Sequence, residues 1–215
     1  MSLVSKETMM NALDWAYQKS ISGFQIKGDL RLESAEELAK QYLKEAKGDK
    51  DKAVNSLVNW QTTKCASVGF VTGLGGLITL PITIPANIGS VIYLQIRMVV
   101  AIAIIHGHDP KSDKVKTSAF LALLGGGMTE VLKSIGVQVG KKTAKNIINK
   151  ISGKLIIKIN QQVGMRLVTK FGTKGIVNLI KAIPVIAGLI SAFIDASSTK
   201  AIASAANSLF CSEEE

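Results

Sequence analysis

Three ionisable residues lie in otherwise apolar sequence and are the candidates for chemistry. Arg97 is near the middle of an apolar segment, Glu130 follows a glycine triplet, and Asp195 lies in the apolar C-terminal segment. An unpaired buried charge costs roughly several kcal/mol, so each should have a partner or reach water. We expect a buried polar cluster in which Arg97 pairs with Asp195, with Glu130 as the alternative acceptor. Such a cluster could bind a ligand or could be a structural ion pair, and the sequence leaves both open.

The two histidines do not form a convincing metal site. His106 and His108 are two positions apart, beside Asp109, and the chain has no third histidine. Residues two apart on a helix point to different faces, and a zinc site would need further ligands from elsewhere. Gly107 and the Asp109-Pro110 pair are typical of a helix end followed by a helix start. We therefore predict a turn here and no bound metal.

The sequence contains no recognisable catalytic or phosphate-binding motif. No G-x-S-x-G pattern is present, and no histidine is placed to serve a triad. The cluster at residues 73–76 lacks the spacing of a P-loop or a dinucleotide fingerprint. Gly69 and Gly73 instead have the four-residue spacing that lets another helix approach closely. We expect a protein without enzymatic activity, cofactor or metal.

The charge of the chain points to an anionic surface as its partner. The chain has 215 residues, is 47% hydrophobic and carries a net charge of +10 from 26 basic residues, of which only Arg31, Arg97 and Arg166 are arginines. Lysine provides a hydrated point charge suited to diffuse attraction, whereas base recognition depends on arginine forks and aromatic platforms. We expect binding to an anionic membrane surface and not to nucleic acid.

The positive charge is concentrated in one region. Between Val131 and Ile194 there are eleven basic residues and no Asp or Glu. Ala144, Ile147, Ile148, Ile151 and Leu155 follow helical spacing opposite several lysines, which predicts a basic amphipathic helix able to lie on an anionic leaflet. A merely solvated face is the alternative. The residues expected at the membrane surface are Lys141, Lys142, Lys145, Lys150, Lys154 and Lys158.

The remaining sequence predicts helices around an apolar hairpin. Residues 1–64 have the mixed charge and periodicity of amphipathic helices, and Ser34 and Glu37 have the spacing of a capping box. From Cys65 to Ile96 there is no charged side chain, and the apolar run continues past Arg97 to Ile105. Prolines divide this run, and its second half contains Arg97, so a bent helical hairpin fits better than a membrane span. The hairpin packing residues are Gly69, Gly73, Gly75, Gly76, Pro81 and Pro85.

We therefore predict one all-α domain over residues 10–210. It comprises charged amphipathic helices at 1–64, the apolar hairpin at 65–108, basic amphipathic helices at 109–181 and apolar helices at 182–210, with an acidic tail at 211–215. The first ten residues lack the pattern of a secretory signal, and the two cysteines are far apart in the chain. We expect reduced thiols and a cytoplasmic protein bound peripherally at the inner face of the plasma membrane.

Five ordered segments also resemble a known family. They read GFVTGLGGLITLPITIP, QIRMVVAIAIIHGHD, EVLKSIG, KFGTKGIVNLIKAIPVIAG and FIDASSTKAIA. Together they resemble the EcsC family, which implies a bacterial, mostly helical protein associated with the operon of an ABC-type exporter, and which offers no catalytic residues. We expect a non-enzymatic membrane-associated protein accessory to such an exporter. The alternative is a soluble helical carrier that holds a lipid or other apolar ligand, with Arg97 at its head group.

Overall fold

The computed structural model describes residues 5–27, 30–66, 86–137, 147–171 and 184–211, and within these ranges it is mostly helical. The predicted all-α class is confirmed. The helices are α1 (Lys6–Ser22), α2 (Ala35–Glu45), α3 (Lys50–Ala66), α4 (Ala86–Ile105), α5 (Asp113–Ala122), α6 (Met128–Ser134), α7 (Ile147–Lys150), α8 (Gly153–Phe171) and α9 (Pro184–Phe210). Strands β1 (Phe24–Lys27) and β2 (Leu30–Leu32) pair antiparallel, and a 3-10 turn spans Gly125–Gly127.

Helix α4 lies at the centre of the fold. Every residue from Gly89 to Ile105 except Ile104 is buried, and α1, α2, α3, α5 and α9 all pack against this helix. A helix that is apolar on all sides is expected inside a core or a bilayer, and here protein covers it. Among the helices that the structure describes, none combines the length and sustained hydropathy that a membrane span requires.

The first half of the predicted hairpin lies outside the described residues. It comprises residues 67–85 and includes Gly69, Gly73, Gly75, Gly76, Pro81 and Pro85. Its second half is helix α4, so the apolar character of that half serves the protein core.

The N-terminal helices follow the sequence signals closely. The Glu37 amide donates to Ser34 Oγ at 3.1 Å, and the Ser34 amide donates to Glu37 Oε2 at 2.7 Å, which confirms the capping box at the start of α2. The small sheet between α1 and α2 was not predicted. Phe24, which pairs with Leu32, also lies edge-on to Trp15 with ring centroids 5.6 Å apart, so tertiary packing of an aromatic side chain stabilises strands that are individually very short.

The turn after α4 differs from the prediction in one respect. Gly107 has the positive φ of 90° expected at a helix end. Helix α5, however, begins at Asp113 and not at the Asp109-Pro110 pair. Asp109 Oδ1 accepts a hydrogen bond from the Lys111 amide at 2.9 Å, so this carboxylate stabilises the turn and does not cap the helix.

The glycine triplet follows the end of α5 and lies close to α9. Gly125 has a φ of 54°, and a Cβ at this position would lie 3.2 Å from the Ala201 Cβ of α9. Only a residue without a side chain allows both the left-handed backbone and this approach.

The predicted basic helix over residues 144–155 is interrupted. Helix α7 ends at Lys150, Ile151 and Ser152 are not helical, and α8 begins at Gly153. The side chains of Ile147, Ile148 and Ile151 are nevertheless buried, as their spacing predicted. Lys141, Lys142 and Lys145 lie outside the described residues, as does the side chain of Lys150.

Candidate functional site

Helix α8 has one buried face and one exposed face. Ile159, Val163 and Leu167 recur every four residues and are buried against the core. Gly164 lies against α1, where a Cβ would be 3.2 Å from the Met10 Sδ. On the opposite side of the helix the exposed residues are Lys154, Ile157, Lys158, Gln161, Gln162, Met165, Arg166 and Thr169. We call this set the α8 face.

The α8 face combines cations with exposed apolar side chains. Ile157 is 60% exposed and Met165 is 61% exposed, the two highest values among the large hydrophobic residues of the described chain. Lys154 and Lys158 lie within one turn of Ile157, and Arg166 follows Met165. The α8 face therefore offers both cations and apolar side chains to a binding partner.

A groove runs along one edge of the α8 face. It is lined by Leu124, Gly127, Gln162, Met165, Arg166 and Thr169 and has a volume of about 530 Å³. Gly127 belongs to the 3-10 turn, and a Cβ there would lie 3.7 Å from Arg166 Nη1 and 3.9 Å from the Leu124 Cβ. The missing side chain at Gly127 therefore leaves space between the turn and α8. Leu124 and Met165 give the groove apolar walls, and Arg166 gives it a cation.

Arg166 pairs with Glu130, a residue of the predicted buried cluster that the structure places on the surface. Arg166 Nη1 donates to Glu130 Oε2 at 2.7 Å, and the two side chains are 43% and 68% exposed. The prediction that Glu130 joins a buried cluster with Arg97 is therefore wrong. The partners are 36 residues apart in sequence, and the packing of α8 against α5 and α6 brings them together. Local periodicity could not reveal this contact.

Arg97 lies in the core, where the sequence placed it. Arg97 is only 2% exposed, and its Nη1 donates to the backbone carbonyl oxygen of Glu33 at 3.0 Å. The guanidinium carbon lies 5.8 Å from the ring centroid of Tyr93, one turn earlier on α4. Burial raises the pKa of the Tyr93 hydroxyl, and the positive charge of Arg97 opposes that rise. The Asp195 side chain lies outside the described part of the chain, so the Arg97–Asp195 pair stays a prediction.

The two histidines hold the end of α9. His106 Nε2 lies 2.8 Å from Asn207 Oδ1, and His108 Nε2 donates to the Phe210 carbonyl oxygen at 2.8 Å. Burial lowers the pKa of His106, so its neutral form is favoured. In the part of the chain that the structure describes, no three His, Cys, Asp or Glu side chains gather in a metal-binding arrangement. The histidines thus secure the last turn of α9 to the turn after α4.

The model of the EcsC protein family matches residues 4–211, nearly the whole chain. The chain belongs to the EcsC family. The resemblance based on five ordered segments is therefore confirmed. No curated protein and no solved structure shows significant similarity to it. The EcsC match includes all nine described helices, so the α8 face and the groove lie within the EcsC region.

Proposed function

We propose that this EcsC-family protein is a non-enzymatic, peripheral membrane protein that docks on an anionic membrane through the α8 face. The observation that carries the proposal is the exposure of Ile157 and Met165 among Lys154, Lys158 and Arg166. Water is a poor environment for these two apolar side chains, and a lipid head-group layer accommodates both the apolar tips and the surrounding cations.

The expected binding strength is that of a reversible association. Each basic residue near an anionic leaflet contributes about 1 kcal/mol, so Lys154, Lys158 and Arg166 together contribute about 3 kcal/mol. Transferring the exposed parts of Ile157 and Met165 out of water adds about 1 to 2 kcal/mol each. The further lysines that the sequence places between residues 141 and 150 would add attraction of the same kind.

The family resemblance extends the proposal to a partner. An EcsC-family protein held at the cytosolic face of the membrane lies beside the cytosolic parts of membrane transporters. We propose that this protein is accessory to an ABC-type exporter. The main neighbours of α8 are α1, α5 and α6, so we assign the exposed residues of α2 and α3 to such a partner. Co-purification of an exporter with the membrane-bound protein is the test of this part.

The alternative is a soluble carrier with an apolar ligand in its core. In that function Arg97 would engage the ligand's head group. The Arg97 guanidinium instead donates to the Glu33 carbonyl and lies over the Tyr93 ring. Protein surrounds α4 at this level, where every residue from Gly89 to Ala103 is buried. These contacts are those expected of a structural arginine, so they favour docking over the carrier.

Vesicle sedimentation tests the docking. The protein should bind vesicles of equal parts phosphatidylglycerol and phosphatidylcholine at least about tenfold more tightly than pure phosphatidylcholine, and added salt should weaken the binding. Replacing Lys154 and Lys158 by Gln should weaken it about 25-fold, at about fivefold for each charge. The matched control is Lys40→Gln with Lys44→Gln, which removes the same charge from exposed positions on α2. Equal binding to both vesicle types would contradict the proposal.

A further inference from the structure

We propose that the groove beside Arg166 binds the phosphate group of a single anionic phospholipid, and that Glu130 forms an ion pair with Arg166 when no lipid is bound. The proposal rests on the docking function proposed above, because the groove opens on the α8 face. It adds a specific lipid site to what would otherwise be diffuse attraction.

The lining of the groove suits a phospholipid. Its volume of about 530 Å³ falls within the usual range for small-molecule sites. Arg166 is an arginine in a region whose other basic residues are lysines, and a guanidinium fork can form two parallel hydrogen bonds to a phosphate. The Gln162 amide can add a donor, while Leu124 and Met165 provide contact for the glycerol and upper acyl carbons.

Glu130 is positioned to compete with that phosphate. It is the only acid in the sequence between Asp113 and Asp195, and it is bound to the cation of the groove at 2.7 Å. Both partners are substantially exposed, and such surface pairs contribute only about 0 to 1 kcal/mol. A phosphate in a groove that also contacts its lipid tail can therefore displace the carboxylate. The exchange leaves Arg166 paired in both states, and other anions must compete with Glu130 for Arg166 in the free protein.

The 3-10 turn supplies a test that changes no charge. A Cβ at Gly127 points toward Arg166 and Leu124, whereas a Cβ at Gly126 meets nothing within 4 Å. Gly127→Gln should fill the groove and weaken binding to phosphatidylglycerol vesicles by about tenfold, the loss of a charge-assisted contact. Gly126→Gln places the same side chain on the same turn and should bind as the natural protein does. Equal affinities for the two variants would show that the groove holds no lipid.

A second test separates a specific site from diffuse charge. Arg166→Gln should reduce affinity by about 30-fold or more, compared with about fivefold for Lys154→Gln on the same helix face. Glu130→Gln should raise affinity more in the natural protein than in the Arg166→Gln background, because only the diffuse effect of the lost negative charge remains once Arg166 is gone. Thermal unfolding of each variant controls for folding.

The outcomes distinguish this proposal from the docking function. If Arg166→Gln and Lys154→Gln lose equal affinity, and the effect of Glu130→Gln is the same in both backgrounds, the groove proposal fails while docking by charge stands. If the natural protein does not prefer anionic vesicles, docking fails and the groove proposal with it. Monomeric short-chain phosphatidylglycerol should also raise the unfolding temperature more than inorganic phosphate at equal ionic strength. An equal rise with phosphate would overturn the assignment to a lipid.

Discussion

The guanidinium of Arg97, in the middle of the central helix, donates a hydrogen bond from Nη1 to the backbone carbonyl oxygen of Glu33, 3.0 Å away. Glu33 lies between strand β2 and the capped start of α2, so the bond joins the core helix to an irregular segment of backbone. A charged donor on a backbone carbonyl forms a stronger bond than a neutral one, so the Glu33 carbonyl provides one of the partners that a buried cation requires.

Replacing Arg97 by Met should destabilise the protein by about 2 to 3 kcal/mol, because the Glu33 carbonyl loses a charged donor. Urea unfolding followed by circular dichroism measures this loss. The predicted pair with Asp195 is tested in the same way by a double-mutant cycle with Asp195→Leu. We expect a coupling of at least about 1 kcal/mol between the two positions. Strict additivity would show that the two side chains do not touch.

Stability should fall in mild acid because of His106. Burial lowers the pKa of this side chain from its ordinary value of 6.5, so the unfolded chain binds a proton first as the pH falls. The contribution of neutral His106 is complete above about pH 6.5 and is lost progressively below it, down to the folded pKa. Unfolding temperatures measured between about pH 7.5 and pH 5 should show this decline.

The histidine variants identify the group responsible for that decline. His106→Gln should flatten the pH dependence, whereas His108→Gln removes the other histidine and should retain it. The two residues bind neighbouring parts of α9, so both variants lose a contact with the same helix. If both variants keep the full acid sensitivity of the natural protein, another group causes it.

Gly125→Ala should destabilise the fold more than an ordinary left-handed glycine replacement. Its φ of 54° is unfavourable for a side chain, and the added Cβ would also lie 3.2 Å from the Ala201 Cβ. The control is Gly136→Ala, where φ is 83° but nothing lies within 4 Å of the added atom. We expect the control to cost about 1 to 2 kcal/mol, and Gly125→Ala to cost at least about 1 kcal/mol more. Equal losses would mean that α9 shifts to accept the methyl group.

Local signals in the sequence predicted local structure well. The capping box at Ser34 and Glu37 needs only residues three apart, and the buried helix α4 follows from an apolar run in which Arg97 is the only charge. In each case the determining interactions lie within a few residues.

The candidate site depended on interactions that the sequence does not display. The Arg166–Glu130 contact exists because α8 packs against α5 and α6, and no pattern within these segments specifies that packing. The break at Ile151 and Ser152 interrupts a periodicity that continues across it, since Ile151 is still buried. The exposure of Ile157 and Met165 was also missed, because an apolar residue in a helix is by default assigned to the core.

The most direct test of docking through the α8 face is to measure which surface meets the lipid. Cys65 and Cys211 are first replaced by Ser. A fluorescent probe is then attached at position 165 of a Met165→Cys variant, or at position 41 of a Gln41→Cys variant, where Gln41 lies on the exposed side of α2. The protein is then bound to anionic vesicles that contain brominated lipids, which quench only nearby probes. The account predicts strong quenching at position 165 and little at position 41. Equal quenching at the two positions, or an unquenched probe at 165 on bound protein, would contradict it.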